Sequence, residues 1–496
     1  MHAKRQGRAW YHWFAADDSP EERKLILKLD LLIVPYAFLG YWIKFIDQSN
    51  ITNAYVAGLK EELGFYGNEL VQLGVVYTVG SVVGQLPCTY LFPRFPMHYL
   101  VPAFELGWGI FTLLQYRASS YAELMAYRFL IGLFEAVFFP AVHYVLGSWY
   151  RADEIGRRGG MFYVGLTLGT LTAGLIQSGA SAHLDGVSGL SGWRWMFIIN
   201  ALMTIPVAIA GVFVWPGTPD KPNRWFLSPA QVEMARERLT VGIPKKARSA
   251  QVTVKDRFIH IFTDWKIYTL TLWGCIYWSI NAASYGGYLI WLKGLKRYNA
   301  SQINEYGSTS AAVGIFYVLF LNFGSDLFLG RTGAITLSCV VNIIAMIILT
   351  IWNVPEAALW VAFNLLYAQF GMSSVFYGWV NDILRNDTQE RAFTLIIVNA
   401  VSQSTTAWIP LFTFPTKEAP SFPKGYPFAL AMSAVLILFT IFVIKPLHKR
   451  QERKIALQIS SESESESPSI GDAESEKSAH IKQDGLTTTV KPVTVV

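Results

Sequence analysis

The chain has 496 residues, of which 52% are hydrophobic and only 15% charged, whereas soluble domains carry about 25% charged residues. With a mean hydropathy of +0.31, this balance excludes an ordinary soluble protein and, outside local segments, a disordered one. The formal charge of +6 comes with no nucleic-acid motif and fits the basic loops of a membrane protein.

Residues 1–22 are polar and aromatic without an apolar h-region, so a cleavable signal peptide is not expected. A bilayer core about 30 Å thick takes roughly 20 apolar residues as a helix. Twelve runs are of this kind: 28–47, 70–92, 99–116, 124–146, 159–181 and 193–215, then 267–292, 306–328, 334–352, 357–379, 392–411 and 426–444. The expected fold is an all-α polytopic membrane protein of twelve transmembrane helices arranged six plus six. Its segments are an N-terminal stretch (1–27), a first bundle (28–215), a central loop (216–266), a second bundle (267–445) and a tail (446–496). The fifth run is the weakest by hydropathy because it is rich in Gly and Thr. In the central loop, Ser228 as N-cap with Pro229 at the first helical position predicts a helix over 229–239. From Ser460 the tail reads SSESESESPS and stays polar, which predicts disorder. It is a candidate for phosphorylation and for Lys-directed turnover at Lys477 and Lys482, or simply a solvated tail.

An even number of spans puts both termini on one side, and charge says which. With the N-terminus inside, 31 Lys and Arg fall in inside segments and seven outside. The short loops 92–98 and 149–158 carry Arg94, Arg151, Arg157 and Arg158, while 180–192 has none. Both termini are therefore expected in the cytoplasm. The sequon Asn299-Ala300-Ser301 then falls on an outside loop.

Cys88, Cys275 and Cys339 all lie in apolar runs, so neither a disulfide framework nor a zinc site is expected. No phosphate-binding loop and no hydrolase pattern appears, and no cofactor is expected. Twelve spans in two halves suggest a secondary transporter built on repeats. Ionisable residues inside a membrane are costly, so each is a site candidate. In the first run these are Asp30, Lys44 and Asp47. Asp30 and Asp47 also read as interfacial caps, and Lys44 and Asp47, three apart, share a face and can pair. Gln48, Ser49 and Asn50 follow as a polar outer end. In the fourth run Arg128 and Glu135 are two turns apart on one face, with Gly132 between them for close backbone approach. They read as a proton-exchanging pair or a structural ion pair. His143 lies further along as a second proton group or a wall histidine. Gly165, Gly169 and Gly174 predict tight contacts along the fifth helix. Asn281, Tyr285 and Tyr288 form a polar-aromatic stripe in the seventh run. Gln369, Tyr377, Asn381, Asn399, Gln403 and Trp408 are similar candidates further on.

Four blocks carry a family resemblance: YWIKFIDQSNITNAYVAGLKEEL (41–63), RFLIGLFEAVFFPAVHYVLGSWY (128–150), GWRWMFIINALMTIPVAI (192–209) and ERAFTLIIVNAVSQSTTAW (390–408). The chain resembles the major facilitator superfamily. Within it, the likeness is to the fungal anion:cation symporter branch of allantoate, pantothenate and vitamin H permeases, and most to the pantothenate and biotin permeases. The resemblance implies that Arg128, Gly132 and Glu135 match the fourth-helix pattern tied to proton coupling. It also implies that Gly84 begins a gating loop that ends near Arg94. Cys88 stands where the general pattern has an Asp, while the second half keeps Gly324-Ser325-Asp326 with Arg331. No Pro lies between Gly159 and Ser181, so the Gly-Pro pattern of antiporters is absent, which favours a symporter.

The resemblance thus implies import of a small organic anion with a proton, across the plasma membrane, by a monomer in the lipid bilayer. The anion expected first is pantothenate or biotin. Another organic anion (allantoate, a sulfonate, a monocarboxylate) or export of a specialised metabolite is the alternative. The expected substrate contacts are Lys44, Asn50, His143, Asn281, Tyr285, Asn381, Asn399 and Trp408. Asp47, Arg128 and Glu135 are expected to couple protons, and Gly84, Arg94, Asp326 and Arg331 to gate.

Overall fold

The computed structural model describes residues 13–14, 18–85, 87, 91–92, 94–240, 262–282, 285–384 and 388–453. Cys88, the side chain of Asp326 and the tail from Ser460 lie outside the described residues. Packing divides the chain into a unit Met1–Thr440 and a unit Ile441–Val496. The second is helical in its described residues, with His448 Nε2 3.7 Å from Glu452 Oε1.

Each of the twelve runs is occupied, within the first unit, by a helical segment. In the first half these are α1 (Pro20–Glu62), α2 (Glu69–Gln85), α3 (Met97–Leu114), α4 (Tyr121–Trp149), α5 (Ala152–His183) and α6 (Gly192–Val214). In the second they are α7 (Trp265–Ser279, resuming as Gly287–Gly294), α8 (Ala300–Gly324), α9 (Gly330–Ile351), α10 (Glu356–Ile383), α11 (Thr388–Thr413) and α12 (Gly425–Phe439). Eight helices among the described residues are long and apolar enough to cross a membrane. The others fall below that mark among the described residues: α2 is described only as far as Gln85, α3 carries His98 and Glu105, α5 is rich in Gly and Thr, and α7 is broken.

Local chemistry sets the ends. Ser19 and Glu22 form a capping box, with Pro20 at the first position of α1. Asn299 and Gln302 do the same for α8, so the asparagine of the outside-loop sequon is a helix cap. Asp30 is not a cap: it lies within α1, where Arg158 Nε (2.5 Å), Tyr150 Oη (2.8 Å) and Trp13 Nε1 (2.9 Å) bond to it. Helix α4 is interrupted at Ala136–Val137. Pro140 explains this, because it has no N–H and its ring crowds the carbonyl of residue 136.

The two halves repeat one packing scheme. In the first, α1 packs most on α5, α2 on α4 and α3 on α6; in the second, α7 packs most on α11, α8 on α10 and α12 on α9. The halves meet through α5 on α8 and α2 on α11. This correspondence is the structural form of an internal repeat. On α5, a Cβ at Gly169 would stand 2.6 Å from the Trp42 carbonyl, and one at Gly174 2.0 Å from Ser308 Oγ of the other half.

At the end of the bundle remote from Pro20, here called distal, one hydrophobic core is shared by both halves. Ile51, Tyr55, Leu70 and Trp193 pack there with Tyr288, Trp291, Phe414 and Tyr426. Lys293 Nζ to Glu61 Oε1 (2.7 Å), Lys417 N to Asn68 Oδ1 (3.1 Å) and Ser178 to Ser301 (2.8 Å) add polar ties across the halves. At the proximal end the helix expected at 229–239 spans Pro229–Thr240, and Ser228 Oγ accepts from Gln231 N at 3.3 Å. It is held to the first half by Arg238 Nη2 on Glu154 Oε1 (2.7 Å), both nearly fully buried.

Candidate functional site

Between the halves lies a cavity of about 270 Å³, close to the lower end for small-molecule sites. Its lining comes from α1, α2, α4 and α5 on one side and from α7, α8, α10 and α11 on the other. The pairs α3–α6 and α9–α12 contribute nothing to that lining and stand behind it.

The first-half wall holds the charge. Every charged residue in the described lining, Lys44 and Arg128, belongs to it. Arg128 is 1% exposed. Its guanidinium lies 4.7 Å from the centre of the Tyr77 ring, and its Nε and Nη1 have no hydrogen-bond partner. Lys44 Nζ donates to the Glu135 carbonyl at 3.4 Å. Behind this pair are two fully buried carboxyls. Tyr77 Oη donates to Glu135 Oε2 at 2.5 Å and Thr112 Oγ1 to Asp47 Oδ2 at 2.7 Å. The Asp47 and Glu135 carboxyls lie within hydrogen-bonding reach of one another, a contact that is favourable only with a proton between them. Lys44 does not pair with Asp47, nor Arg128 with Glu135, as spacing along one helix suggested. The break in α4 beside Glu135 and the approach of α2 bring in Tyr77 instead.

Close approach of α2 and α4 makes this cluster. A Cβ on Gly132 would fall 2.1 Å from the Tyr77 carbonyl, and one on Gly84 2.5 Å from the Leu133 carbonyl.

The second-half wall is neutral and aromatic. The seventh run does not form one helix. It breaks between Ser279 and Gly287, where Gly286 takes a left-handed φ of +72°. Asn281, Tyr285 and Tyr288 therefore do not share one helical face, yet all three line the cavity. Tyr285 stacks on Phe414 (4.5 Å between centroids). Gln369 Nε2 donates to Asn281 Oδ1 at 2.7 Å, and Tyr377 Oη to Asn399 Oδ1 at 2.9 Å. Gln85 of α2 crosses to this wall: its Nε2 donates to Gln403 Oε1 (2.9 Å) and its Oε1 accepts from Asn399 Nδ2 (3.3 Å).

Lys44, Arg128, Asn281, Tyr285 and Asn399 thus line one cavity, with Asp47 and Glu135 directly behind. Other residues of the same types are placed elsewhere. Asn50 is fully buried outside the lining. His143 Nδ1 is 3.0 Å from the Phe139 carbonyl, with its ring against Phe139 and Phe162. Asn381 Nδ2 donates to the Tyr377 carbonyl (2.9 Å), and Trp408 is 56% exposed. Of the expected gating residues, Gly84 lies in the α2–α4 contact, and Lys221 Nζ donates to the Arg94 carbonyl at 2.6 Å. Arg331 pairs with Asp382 and donates to the Gly378 carbonyl at 3.1 Å.

Tyr77, Thr112 and Gln85 complete the site without any sequence signal, since a polar residue in an apolar helix shows its meaning only through its partner. Glu105 does carry the signal, being an acidic residue alone in the third run. It is buried against Tyr36, which donates to it, and is not part of the cavity lining.

Residues 37–410 match the Major Facilitator Superfamily. The chain belongs to the major facilitator superfamily. It is a multi-pass membrane transporter of that family. Among curated relatives, it is 38% identical to the vitamin H transporter of Saccharomyces cerevisiae over 462 residues, covering 91% of this chain and 78% of that protein. It is 32% identical to a pantothenate transporter of Schizosaccharomyces pombe over 429 residues, covering 85% and 82%. Among solved structures, the partially occluded inward-open xylose transporter XylE from E. coli superposes with a TM-score of 0.63 at 15% identity, over 84% of this chain and 98% of XylE. This last likeness is one of fold alone.

Proposed function

We propose that this chain imports a vitamin carboxylate, pantothenate or biotin, together with a proton, across the plasma membrane by alternating access. The observation that carries the reading is Arg128: a guanidinium that lines the cavity while 99% buried, with two nitrogen donors unpaired. A buried guanidinium with unmade hydrogen bonds is costly, and a carboxylate completes it with charge-assisted bonds. Lys44 adds a second positive group beside it. The carboxyl pair Asp47–Glu135 holds the proton. Because Lys44 and Tyr77 bond to Glu135 while Arg128 stacks on Tyr77, arrival of the anion and loss of the proton act on the same side chains. The names of the vitamin H and pantothenate relatives support the substrate class.

The excess of basic residues on the proximal loops supports cytoplasmic termini and a distal end facing out. In that orientation the shared distal core closes the outer side, and rocking of one repeat against the other reopens it. One chain contains the whole cavity, which supports a monomer in the bilayer as the working form. Domain limits at about 28–215 and 267–445 for the two repeats fit the packing scheme.

The test is uptake of labelled pantothenate and labelled biotin into yeast lacking its own permeases, at acid and neutral external pH, with and without a protonophore. Saturable uptake of one vitamin, stronger at acid pH and abolished by the protonophore, is the expected result. No uptake of either by protein confirmed at the cell surface would sink the reading.

A further inference from the structure

We propose that the second-half wall carries a subsite for a neutral N–H donor and that Gln369 selects for it. This rests on the reading above, in which Arg128 and Lys44 take a carboxylate at the opposite wall.

Two irregular stretches of backbone meet here. One is the break in α7 between Ser279 and Gly287. The other is the 3-10 segment Leu366–Met372 inside α10. Non-helical backbone within a membrane is tolerated where protein buries it or where it lines a cavity. Discontinuous helices at mid-depth are also where transporters place their substrates. Asn281 stands in the first stretch and Gln369 in the second, and the 2.7 Å bond from Gln369 Nε2 to Asn281 Oδ1 ties them together. The Gln369 amide turns its nitrogen to Asn281, and its carbonyl oxygen Oε1 is left with no hydrogen-bond partner, although the side chain is only 3% exposed and lines the cavity.

A buried acceptor without a donor is an unfilled requirement. A ligand meets it with an N–H and fails to meet it with a carboxylate oxygen, whose lone pairs repel the carbonyl. The flanking wall is aromatic and uncharged, with Tyr277, Trp278 and Tyr377, and suits a flat neutral group. Positive charge at one wall and an unpaired neutral acceptor at the other define a bipolar ligand. It is a carboxylate joined through an aliphatic spacer to a secondary amide or a cyclic urea. Pantothenate and biotin share this chemistry, the first as an amide and the second as a urea.

The test uses purified full-length protein and two probes that differ by one group, 6-acetamidohexanoate and 6-acetoxyhexanoate. The ester keeps the carboxylate, the length and the carbonyl and lacks only the N–H. Binding is read by tryptophan fluorescence, with Trp278 in the wall as reporter. The wild-type protein should bind the amide about tenfold more tightly than the ester. Gln369→Leu should bring amide and ester to equal affinity, and an unchanged melting profile in detergent shows that the variant is folded. The wild-type comparison decides without any variant. Equal binding of amide and ester, binding of neither, or an intact preference in Gln369→Leu overturns the proposal. Amide preference without uptake of either vitamin would remove the vitamin reading and leave the subsite. Vitamin uptake without amide preference would do the reverse.

Discussion

Replacing Gly132 with Ala tests whether the α2–α4 contact builds the charged cluster. The new Cβ would stand 2.1 Å from the Tyr77 carbonyl and 3.1 Å from Ser81 N, where ordinary contact begins near 3.4 Å. Both obstacles are backbone, so no rotamer change relieves them and α2 must retreat by roughly 1 Å. That retreat stretches the 2.5 Å bond from Tyr77 to Glu135 to the edge of hydrogen-bonding range. Overpacking costs about 1–3 kcal/mol. The weakened bond to a buried carboxyl adds about 1–3 kcal/mol, and the better helix propensity of Ala returns about 1 kcal/mol. A net loss of about 3 kcal/mol, with uptake impaired further than stability, is the expectation. The control is Gly179→Ala, where an added Cβ meets nothing within 4 Å. Both variants should be melted in the same detergent and assayed for uptake in cells. If Gly132→Ala melts and transports like Gly179→Ala, the reasoning is refuted.

Lys44→Ala and Glu135→Gln should each abolish accumulation with surface expression intact, and normal uptake by both would remove the assigned roles. The ion pair between Lys293 and Glu61 joins the halves distally with both partners partly exposed, so it is worth about 1 kcal/mol or less. Glu61→Lys should therefore slow uptake modestly, and adding Lys293→Glu should restore it; a swap no better than the single change would argue against a role in closure. Arg238→Ala leaves Glu154 buried without its partner, at about 3–5 kcal/mol. Faster protease cleavage within 216–266, with the rest of the chain resistant, is the expected sign that the loop helix has come away.

Most of the twelve helices were legible because their runs are apolar on nearly every face and close to the length a bilayer needs, a signal that needs no partner; the Gly- and Thr-rich fifth run carried it least. Ionisable residues within those runs were legible for a similar reason, since charge in an apolar helix stands out by itself. Less legible was which way each face points. Asn399 and Asn381 are the same residue type on neighbouring helices, yet only Asn399 reaches the cavity. Trp408 shares α11 with Asn399 and is exposed. The break in α7 left one trace, the Gly286-Gly287 pair, and the 3-10 turn around Gln369 left none. Tyr77 acquires its role only when Gly132 lets α2 approach α4, and Gln85 only when α2 meets α11. These are contacts between distant parts of the chain, and a single sequence does not encode them in any local pattern.

In the proposed mechanism a vitamin carboxylate and a proton cross together through the cluster of Arg128, Asp47 and Glu135. The most direct measurement reconstitutes the protein in liposomes holding a pH-sensitive dye and adds pantothenate or biotin outside with no imposed gradient. The substrate should acidify the lumen with wild-type protein, and Glu135→Gln should abolish this signal. Entry of labelled vitamin with no change in lumenal pH, or acidification that persists in Glu135→Gln, would contradict the mechanism.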